Sequence, residues 1–382
     1  MPTPPSQPRP ATTVRQFLLC ASISLAVLVV AFGLAEVVFR VKNHIPLTWD
    51  ALGLYADDAA LGWRVKPHFR EEKQSRDCAG EPYALAFSTA DHGFREYGAT
   101  DAPAKLLIIG DSFTLNRDVS DGQTYSAVLG RLLGCTVFTY GSGGYGSLQE
   151  YGILAESLPR IKPDAIVFQL HTNDSINNDF VLERQSVINN NVHFRPYLAD
   201  DGSVVIASPY FHWSQAVIDA LGRFLGNRSH IIASIQHNLQ LALYAKYQDA
   251  SVERAIENGQ DMAAYAHSLA TTRRVFEKIC QESGDTPVFA FILGGGRIAR
   301  DIARALAGTC VTVLPDVSDA VFAQQPHEPA RLAADCGHLS AYGNAQLAEL
   351  LARNLGPALD GRLSRKGAWP AAGRDAAGSR TP

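Results

Sequence analysis

The sequence predicts a three-layer α/β/α sandwich with a parallel sheet, preceded by one N-terminal transmembrane helix. Two observations support this fold class. Between about residues 105 and 355, short apolar runs alternate with stretches of helical periodicity, which is typical of a parallel sheet covered by helices on both faces. Near the N-terminus, an uncharged apolar run is long enough to cross a bilayer. The length of 382 residues, 46% of them hydrophobic, allows a large core.

The uncharged run extends from Gln16 to Ala35 and follows a polar, Pro-rich flank at residues 1–15. A helix rises about 1.5 Å per residue, so a run of this length covers the hydrocarbon core of a bilayer. A cleavable signal usually has a shorter apolar run and an A-x-A-like site, and no clean site precedes Glu36. We therefore predict a retained anchor. A cleaved signal and a buried soluble helix stay open as alternatives.

The charges around this run determine its orientation only weakly. Arg9 and Arg15 precede it, whereas Arg40 and Lys42 follow it. Because positive charges flank the run on both sides, the positive-inside rule hardly distinguishes the two possible orientations of the helix. The short N-terminal flank favours a cytoplasmic N-terminus and an exported body.

The composition excludes some classes of function. The net charge of -4 gives no electrostatic basis for nucleic-acid binding. The six cysteines include no C-x-x-C pair, so no zinc or redox motif is indicated. An exported body would allow disulfides, but the spacing does not say which cysteines pair. One cysteine lies in the apolar run, and five lie outside it: Cys78, Cys135, Cys280, Cys310 and Cys336.

The rest of the chain divides into a lead-in, a domain and a tail. Residues 36–104 are predicted to be a loop-rich juxtamembrane lead-in. Strands are predicted at Lys105–Ile109, Thr136–Tyr140, Ala165–Leu170, Pro287–Leu293 and Cys310–Leu314. Helices are predicted at Tyr125–Leu133, Leu148–Leu158, Ala263–Glu282, Arg297–Ala307 and Ala341–Leu355. The domain would span residues 105–360 with an irregular insertion at about 175–261, and a disordered tail would follow at 361–382.

Polar residues follow several of these strands, at the sheet edge where doubly wound folds place their sites. The motifs are Gly110-Asp111-Ser112 after the first strand, Gly141 after the second, Asn173 after the third, and Asp335 and His338 before the last helix. Each motif alone could be a structural turn. Together they supply a serine nucleophile, donors for an oxyanion, and a base whose tautomer a carboxylate can fix. Acyl transfer through a serine requires these groups.

In order and in strand placement, these segments resemble the four blocks of the SGNH/GDSL hydrolase family. The resemblance covers about Lys105–Leu355, apart from the insertion. The sequences LGWRVKP and HGFRE in the lead-in look like a bacterial membrane-anchored branch of the family. One departure is His171, which stands where the family motif G-x-N-D has a glycine.

The resemblance implies roles for the residues. Ser112 would be the nucleophile, His338 the general base, and Asp335 the residue that orients His338. The backbone N–H groups of Ser112 and Gly141 and the side-chain amide of Asn173 would form the oxyanion hole. The implied activity is hydrolysis of acyl esters, such as O-acetyl groups on cell-envelope glycans, without a cofactor or a metal. The catalytic domain would lie outside the cytoplasm, held at the bacterial plasma membrane.

Two other functions suit the same residues. The site could transfer an acyl group to an envelope polysaccharide, or the fold could serve as a non-catalytic glycan-binding or assembly module. A phosphate site at Gly294-Gly295-Gly296-Arg297 is a weaker alternative, because no complete dinucleotide-binding motif or P-loop occurs. The sequence indicates no protein partner.

Overall fold

The computed structural model describes residues 14–43, 45, 47–48, 53–190, 193–225, 227–315, 317–322 and 337–363. Asp335, Cys336, the first part of the Pro-rich flank and the tail beyond residue 363 lie outside the described residues. The chain forms two compact units. The first combines the N-terminal region up to Gly53 with Val217–Gln240, and the second comprises Leu54–Ala216 and the residues from Leu241 onward.

Helices separate the strands at most of the connections from residue 105 onward. The helices are α1 Val14–Lys42, α2 Ser112–Leu115, α3 Tyr125–Leu133, α4 Ser147–Ile161, α5 Thr172–Asn177, α6 Phe180–Gln185, α7 Trp213–Phe224, α8 His230–Tyr247, α9 Val252–Glu257, α10 Ala263–Ser283, α11 Gly296–Leu306, α12 Val317–Phe322 and α13 Ala341–Leu363. The strands are β1 Tyr55–Asp58, β2 Gly62–Val65, β3 Arg70–Arg76, β4 Pro82–Ser88, β5 Glu96–Tyr97, β6 Lys105–Gly110, β7 Thr136–Gly141, β8 Ala165–His171, β9 Arg195–Leu198, β10 Val204–Ala207, β11 Val288–Leu293 and β12 Val311–Val313.

The second unit is built on a six-stranded sheet of order β12-β11-β8-β6-β7-β5. Five of these strands run parallel, and the edge strand β5 pairs antiparallel with β7. Strand β6 is the first of the parallel strands in sequence and lies between β7 and β8, so the order of the parallel strands reverses at β6. Doubly wound folds bind their ligands at this switch point, outside the carboxyl ends of the strands. The predicted parallel α/β fold is confirmed.

Helices cover both faces of this sheet, because the side chains of each strand alternate between two cores. Leu106 and Ile108 of β6 pack in one core with α3, α12 and α13. Leu107 and Ile109 pack in the other core with α4, α10 and α11. All four side chains are buried, which explains why the strand is apolar throughout instead of alternating with polar residues.

The lead-in and the insertion contain more regular structure than the sequence predicts. The hairpins β1–β2 and β3–β4 and the edge strand β5 lie in the lead-in. The insertion contains the hairpin β9–β10 and several helices. The last helix, α13, continues to Leu363 and so includes the first residues of the predicted tail. Most of these strands are only two to four residues long, and β3 is largely exposed, so local hydrophobic periodicity does not reveal them.

Helix α1 has the length and hydropathy of a membrane span, although a signal sequence has the same features. Near its C-terminal end, Arg40 Nε lies 2.9 Å from Glu36 Oε1, and both side chains are only 4% exposed. Glu36 also accepts hydrogen bonds from the Ser229 hydroxyl and from the backbone N–H groups of His230 and Ile231. The carboxylate therefore caps the N-terminus of α8, and it joins the end of α1 to the segment between α7 and α8.

A disulfide joins Cys280 of α10 to Cys310, just before β12. The two Cα atoms are 5.7 Å apart, and the sequence separation is 30 residues. Cys20 and Cys135 are free thiols. Disulfides persist in oxidising compartments, so this bond agrees with an exported body.

Replacing both Cys280 and Cys310 by Ala is expected to lower the free energy of unfolding by about 3–4 kcal/mol, because the bond restricts the unfolded chain. Denaturant unfolding in detergent, with and without reductant, measures the change. Reductant should destabilise the wild type more than the double variant, which retains the disulfide bond of Cys78. The variant Cys135→Ala, which removes a free thiol, is the control and should respond to reductant as the wild type does. A double variant as stable as the oxidised wild type would contradict the expectation.

Candidate active site

The turn after β6 places Ser112 at the start of α2. Asp111 caps this helix, because its Oδ1 accepts a hydrogen bond from the backbone N–H of Phe113 at 2.9 Å. On the neighbouring strand β8, Gln169 Oε1 accepts hydrogen bonds from the Asp111 N–H at 3.2 Å and from the Thr114 hydroxyl at 2.8 Å. Hydrogen bonds to Gln169 therefore connect the turn that carries Ser112 to β8 as well as to its own strand, β6.

Two glycines allow α2 to approach the sheet closely. A Cβ atom on Gly110 would lie 2.4 Å from Thr114 Oγ1. A Cβ atom on Gly141, at the end of β7, would lie 2.1 Å from the backbone N of Leu115. Both separations are far shorter than van der Waals contact, so α2 packs directly against the backbone at the ends of β6 and β7.

His338 faces the serine. Its Nε2 lies 2.7 Å from Ser112 Oγ, although the two residues are 226 positions apart in the sequence. This is the separation expected of a general base and its nucleophile. The imidazole also packs on the ring of Phe113, with the ring centroids 4.6 Å apart. The structure thus brings Ser112 and His338 together, whereas Asp335 lies outside the described residues.

Asn344, in the first turn of α13, holds the loop that carries His338. Its Oδ1 accepts a hydrogen bond from the backbone N–H of Tyr125 at 2.8 Å. Its Nδ2 donates to the carbonyl oxygens of Leu339 and Ser340. The side chain is fully buried. Sequence reasoning misses this role, because a single Asn in a helix has no pattern that reveals a distant partner.

Asn173 lies at the start of α5, just after β8, and borders the cavity described below. Its Nδ2 donates to the carbonyl of Tyr145 at 3.2 Å and to Asn177 Oδ1 at 3.1 Å. Its Oδ1 lies 2.8 Å from Nδ1 of His171. His171, the departure from the family motif, therefore contacts the amide of Asn173, and its ring packs on Phe113 with a centroid distance of 4.9 Å.

The segment after β7 forms part of the cavity wall. Gly143 and Gly144 line the cavity, whereas Gly141 is buried and is not among its described lining residues. The N–H of Gly143 donates to the hydroxyl of Tyr55 at 3.1 Å. The structure thus places Gly141 against α2 and the two following glycines at the cavity.

Arg195 connects the insertion to this wall. Its side chain is completely buried, and its Nε lies 3.1 Å from Glu183 Oε2. The guanidinium donates to the carbonyl oxygens of Gly144 at 2.5 Å and Asn177 at 3.3 Å, and it lies 5.1 Å from the centroid of the Trp63 ring. A buried charge requires such partners. None of them is close to Arg195 in sequence, so the sequence could not indicate this role.

These groups surround a cavity of about 860 Å³. Its size is in the range of small-molecule sites, and its lining combines aromatic rings with polar groups. The lining residues are Tyr55, Trp63, Ser112, Phe113, Gly143, Gly144, His171, Asn173, Asn177, Ile188, Asn189, His193, Tyr244, Gly294, Gly295, Ser318, Gly337 and His338. Within the described part of the chain, no group of three or more His, Cys, Asp or Glu side chains is placed to hold a metal ion.

The glycine run before α11 does not form an anion site. The carboxylate of Glu257 accepts hydrogen bonds from the backbone N–H groups of Arg297 at 2.6 Å and Ile298 at 3.0 Å. The guanidinium of Arg297 is paired with Asp261 at 2.5 Å. Because an acidic side chain already occupies this end of the helix, a phosphate would be repelled there.

Three carboxyl groups are buried behind the catalytic edge: Asp111, Glu150 and Asp174. Burial raises the pKa of each, and the neighbouring carboxylates raise the pKa of Glu150 and Asp174 further. Asp174 accepts hydrogen bonds from the His171 N–H and the Ser147 hydroxyl. Neither oxygen of Glu150 has a hydrogen-bond partner among the described residues. Because Glu150 lacks the hydrogen bonds that favour the charged form of a carboxylate, we infer that Glu150 keeps its proton.

Comparison of the sequence with protein-family models gives no match, and comparison with curated proteins gives none either. The solved structures that the chain is similar to include lipases, acylhydrolases and carbohydrate esterases. One is a lipase/acylhydrolase from Enterococcus faecalis, with 14% identity, a TM-score of 0.38, and coverage of 70% of this chain and 100% of that chain.

Two others are carbohydrate esterases. The family 3 carbohydrate esterase of Clostridium thermocellum is 13% identical, with a TM-score of 0.35, and the match covers 69% of this chain and 99% of that one. An acetylxylan esterase from Geobacillus stearothermophilus is 17% identical, with a TM-score of 0.34 and coverage of 66% and 94%. Similarity at this level says nothing about activity, so the chemistry of the site follows from its own residues.

The buried carboxyls predict that stability falls as the pH rises. Above the ordinary Glu pKa of 4.5, Glu150 binds more proton in the folded chain than in the unfolded chain, because burial and the neighbouring carboxylates raise its pKa. Each proton bound in excess lowers the free energy of unfolding by about 1.4 kcal/mol per pH unit. Glu150→Gln removes one titrating group, so its stability should fall less steeply with pH and exceed that of the wild type at neutral pH.

Denaturant unfolding at a series of pH values tests this. Glu156→Gln, an exposed position on the same helix, is the control and should keep the wild-type slope. Parallel profiles for Glu150→Gln and the wild type would contradict the proton assignment.

Proposed function

We propose that the chain is a membrane-anchored serine esterase of the SGNH/GDSL type, with Ser112 as nucleophile and His338 as general base. The observation that carries this proposal is the 2.7 Å separation of Ser112 Oγ and His338 Nε2 in a cavity at the switch point of the sheet. A serine that only capped a turn would not need an imidazole at its hydroxyl. A non-catalytic module would not need it either.

The chemistry follows from these two side chains. His338 Nε2 accepts the hydroxyl proton of Ser112 while Oγ attacks the carbonyl carbon of the ester. The protonated imidazole then donates this proton to the leaving alkoxide, and the acyl group stays on Ser112. In the second half, His338 takes a proton from a water molecule whose oxygen attacks the acyl carbon, and it returns this proton to Ser112 Oγ as the bond between Oγ and the acyl carbon breaks. Asp335 would hold Nδ1 of His338 and so fix the tautomer that leaves Nε2 free to accept a proton.

The negative charge that develops on the acyl oxygen requires hydrogen-bond donors. The backbone N–H of Ser112, at the first position of α2, is one. The amide Nδ2 of Asn173 is a second, because Asn173 borders the cavity and a charged oxygen can compete with the neutral oxygens to which Nδ2 now donates. For the third donor we propose the segment Gly143–Gly144 in place of Gly141, because this segment borders the cavity.

The lining of the cavity favours an acyl group carried by a sugar. Trp63 and Tyr244 offer aromatic surface, whereas Asn177, Asn189 and His193 offer polar groups for hydroxyls. A site for a long acyl chain would instead be apolar throughout. We therefore propose an O-acyl substituent, such as O-acetyl, on a cell-envelope glycan. The apolar helix would keep the enzyme in the plasma membrane with its catalytic domain outside the cytoplasm, where the disulfide is stable.

Ser112→Ala and His338→Ala are each expected to lower kcat for a generic acetyl ester by a factor on the order of 10⁴ to 10⁶, because each removes a group that no neighbour replaces. The double variant should be scarcely worse than either single variant, since the two groups act as a unit. Asp335→Ala should keep more activity than His338→Ala, because it loses only the orientation of the base. Acetate release is the measurement.

Ser318→Ala provides the matched control, because Ser318 lines the same cavity but has no proposed part in the reaction. It should retain nearly full activity. A serine-directed phosphonate should label the wild type at Ser112 and leave Ser112→Ala unlabelled. Full turnover by folded Ser112→Ala, or labelling of another serine, would refute the proposed nucleophile.

Asn173→Ala should lower kcat by a factor on the order of 10² to 10³ with a smaller change in KM, because an oxyanion donor acts mainly in the transition state. Thr172→Ala, one position earlier, is the control and should have little effect on kcat. If Asn173→Ala keeps near-full kcat while Thr172→Ala loses it, the donor has been assigned to the wrong residue.

A further inference from the structure

Helix α7 buries polar side chains and exposes apolar ones. Gln215 and Asp219 are only 3% and 7% exposed. The exposed apolar residues recur at helical spacing on another face: Trp213 at 72%, Val217 at 49%, Leu221 at 43% and Phe224 at 86%. A surface helix of a water-soluble domain has the opposite arrangement. The environment of this face is therefore expected to be apolar.

The exposed apolar face of α7 is close in sequence to Ser229, which forms a hydrogen bond with Glu36 near the end of α1. Ser229, whose hydroxyl donates to Glu36, follows Phe224 by five positions. The N–H of Asn227 donates to the carbonyl of Gly222 at 2.8 Å, so the connection is a turn. Even a fully extended chain of this length spans no more than about 18 Å. The end of α7 is thus held near Glu36, the first charged residue after the uncharged run.

We propose that the exposed face of α7 lies in the interfacial layer of the membrane that α1 crosses. The proposal rests on the membrane anchor of the proposed function. The interfacial layer is roughly 5–8 Å deep on each side of the hydrocarbon core, and amphipathic helices bury their apolar face about 5–10 Å into this boundary. The buried pair of Glu36 and Arg40 marks the end of the apolar run, so the adjoining residues Ser229 and His230 lie at the level of the headgroups.

The residue types agree with this placement. Trp213 and Phe224, near the two ends of the exposed face, belong to the side chains that interfacial helices insert. Lys42, at the end of α1, and Arg228, in the turn after α7, are exposed and can contact anionic headgroups. A protein partner could also cover an apolar face, but the short connection to the end of the span favours lipid.

Quenching of tryptophan fluorescence in nanodiscs tests the proposal on the full chain. The discs contain zwitterionic and anionic phospholipids, with either ordinary or brominated acyl chains, and no other protein. Subtracting the spectrum of Trp213→Phe from that of the wild type isolates the emission of Trp213. We expect this emission to be blue-shifted, strongly quenched by brominated lipid and little affected by iodide in the buffer.

Two further variants in the Trp213→Phe background provide a second reporter and a control. Phe224→Trp places the reporter at the other end of the exposed face, and its emission should respond as that of Trp213 does. Asn238→Trp places an indole at an exposed polar position of α8, in the same unit as Phe224. Its emission should be quenched by iodide and not by brominated lipid.

The outcomes separate this proposal from the anchor. Loss of the chain from membranes on alkaline extraction would overturn the anchor itself. If the chain stays in the disc but iodide reaches Trp213 freely and brominated lipid does not quench it, the interfacial placement is wrong and a protein partner becomes the better explanation. Equal quenching of the Asn238→Trp reporter by brominated lipid would also overturn it, because the contact would then not be specific to this face.

Discussion

The geometry of the active site depends on how closely α2 approaches the ends of β6 and β7. A Cβ atom on Gly110 or Gly141 would collide with the atoms of α2 at 2.4 and 2.1 Å. Because both positions lack a side chain, the helix rests on bare backbone and presents Ser112 at the switch point, 2.7 Å from the imidazole of His338. A larger residue would displace the helix, and even a small displacement breaks a contact of this length.

The walls of the site are held by buried polar groups, which stabilise a fold only when they have partners. Asp174 accepts hydrogen bonds at the β8–α5 junction that carries Asn173. Arg195 reaches from the insertion to the glycine segment after β7. Among the described residues Glu150 has no such partner, which favours the protonated form of its carboxyl group. This part of the molecule therefore favours a defined cavity over maximal stability, as functional sites often do.

In the unit that contains the apolar helix α1, one acidic side chain has the corresponding role. Glu36 pairs with Arg40 and also accepts hydrogen bonds at the N-terminus of α8. A lone charge one residue past an apolar span would be costly to bury, but here the guanidinium, the helix terminus and the Ser229 hydroxyl all compensate it. The same contacts keep the C-terminal end of α7, five residues before Ser229, near the end of the proposed span.

The sequence by itself determined the α/β class, the apolar helix and the candidate pair of Ser112 and His338, because each is encoded in consecutive residues: strand runs that end at a motif, or an uncharged stretch of bilayer length. Only the tertiary structure decided which partners these residues meet. The role of Arg195, the glycines that border the cavity, and the polar face that α7 buries depend on contacts between segments far apart in the chain. Local periodicity shows that one face of a helix is apolar. It does not show whether that face contacts the protein core or lipid, because both environments favour the same apolar side chains.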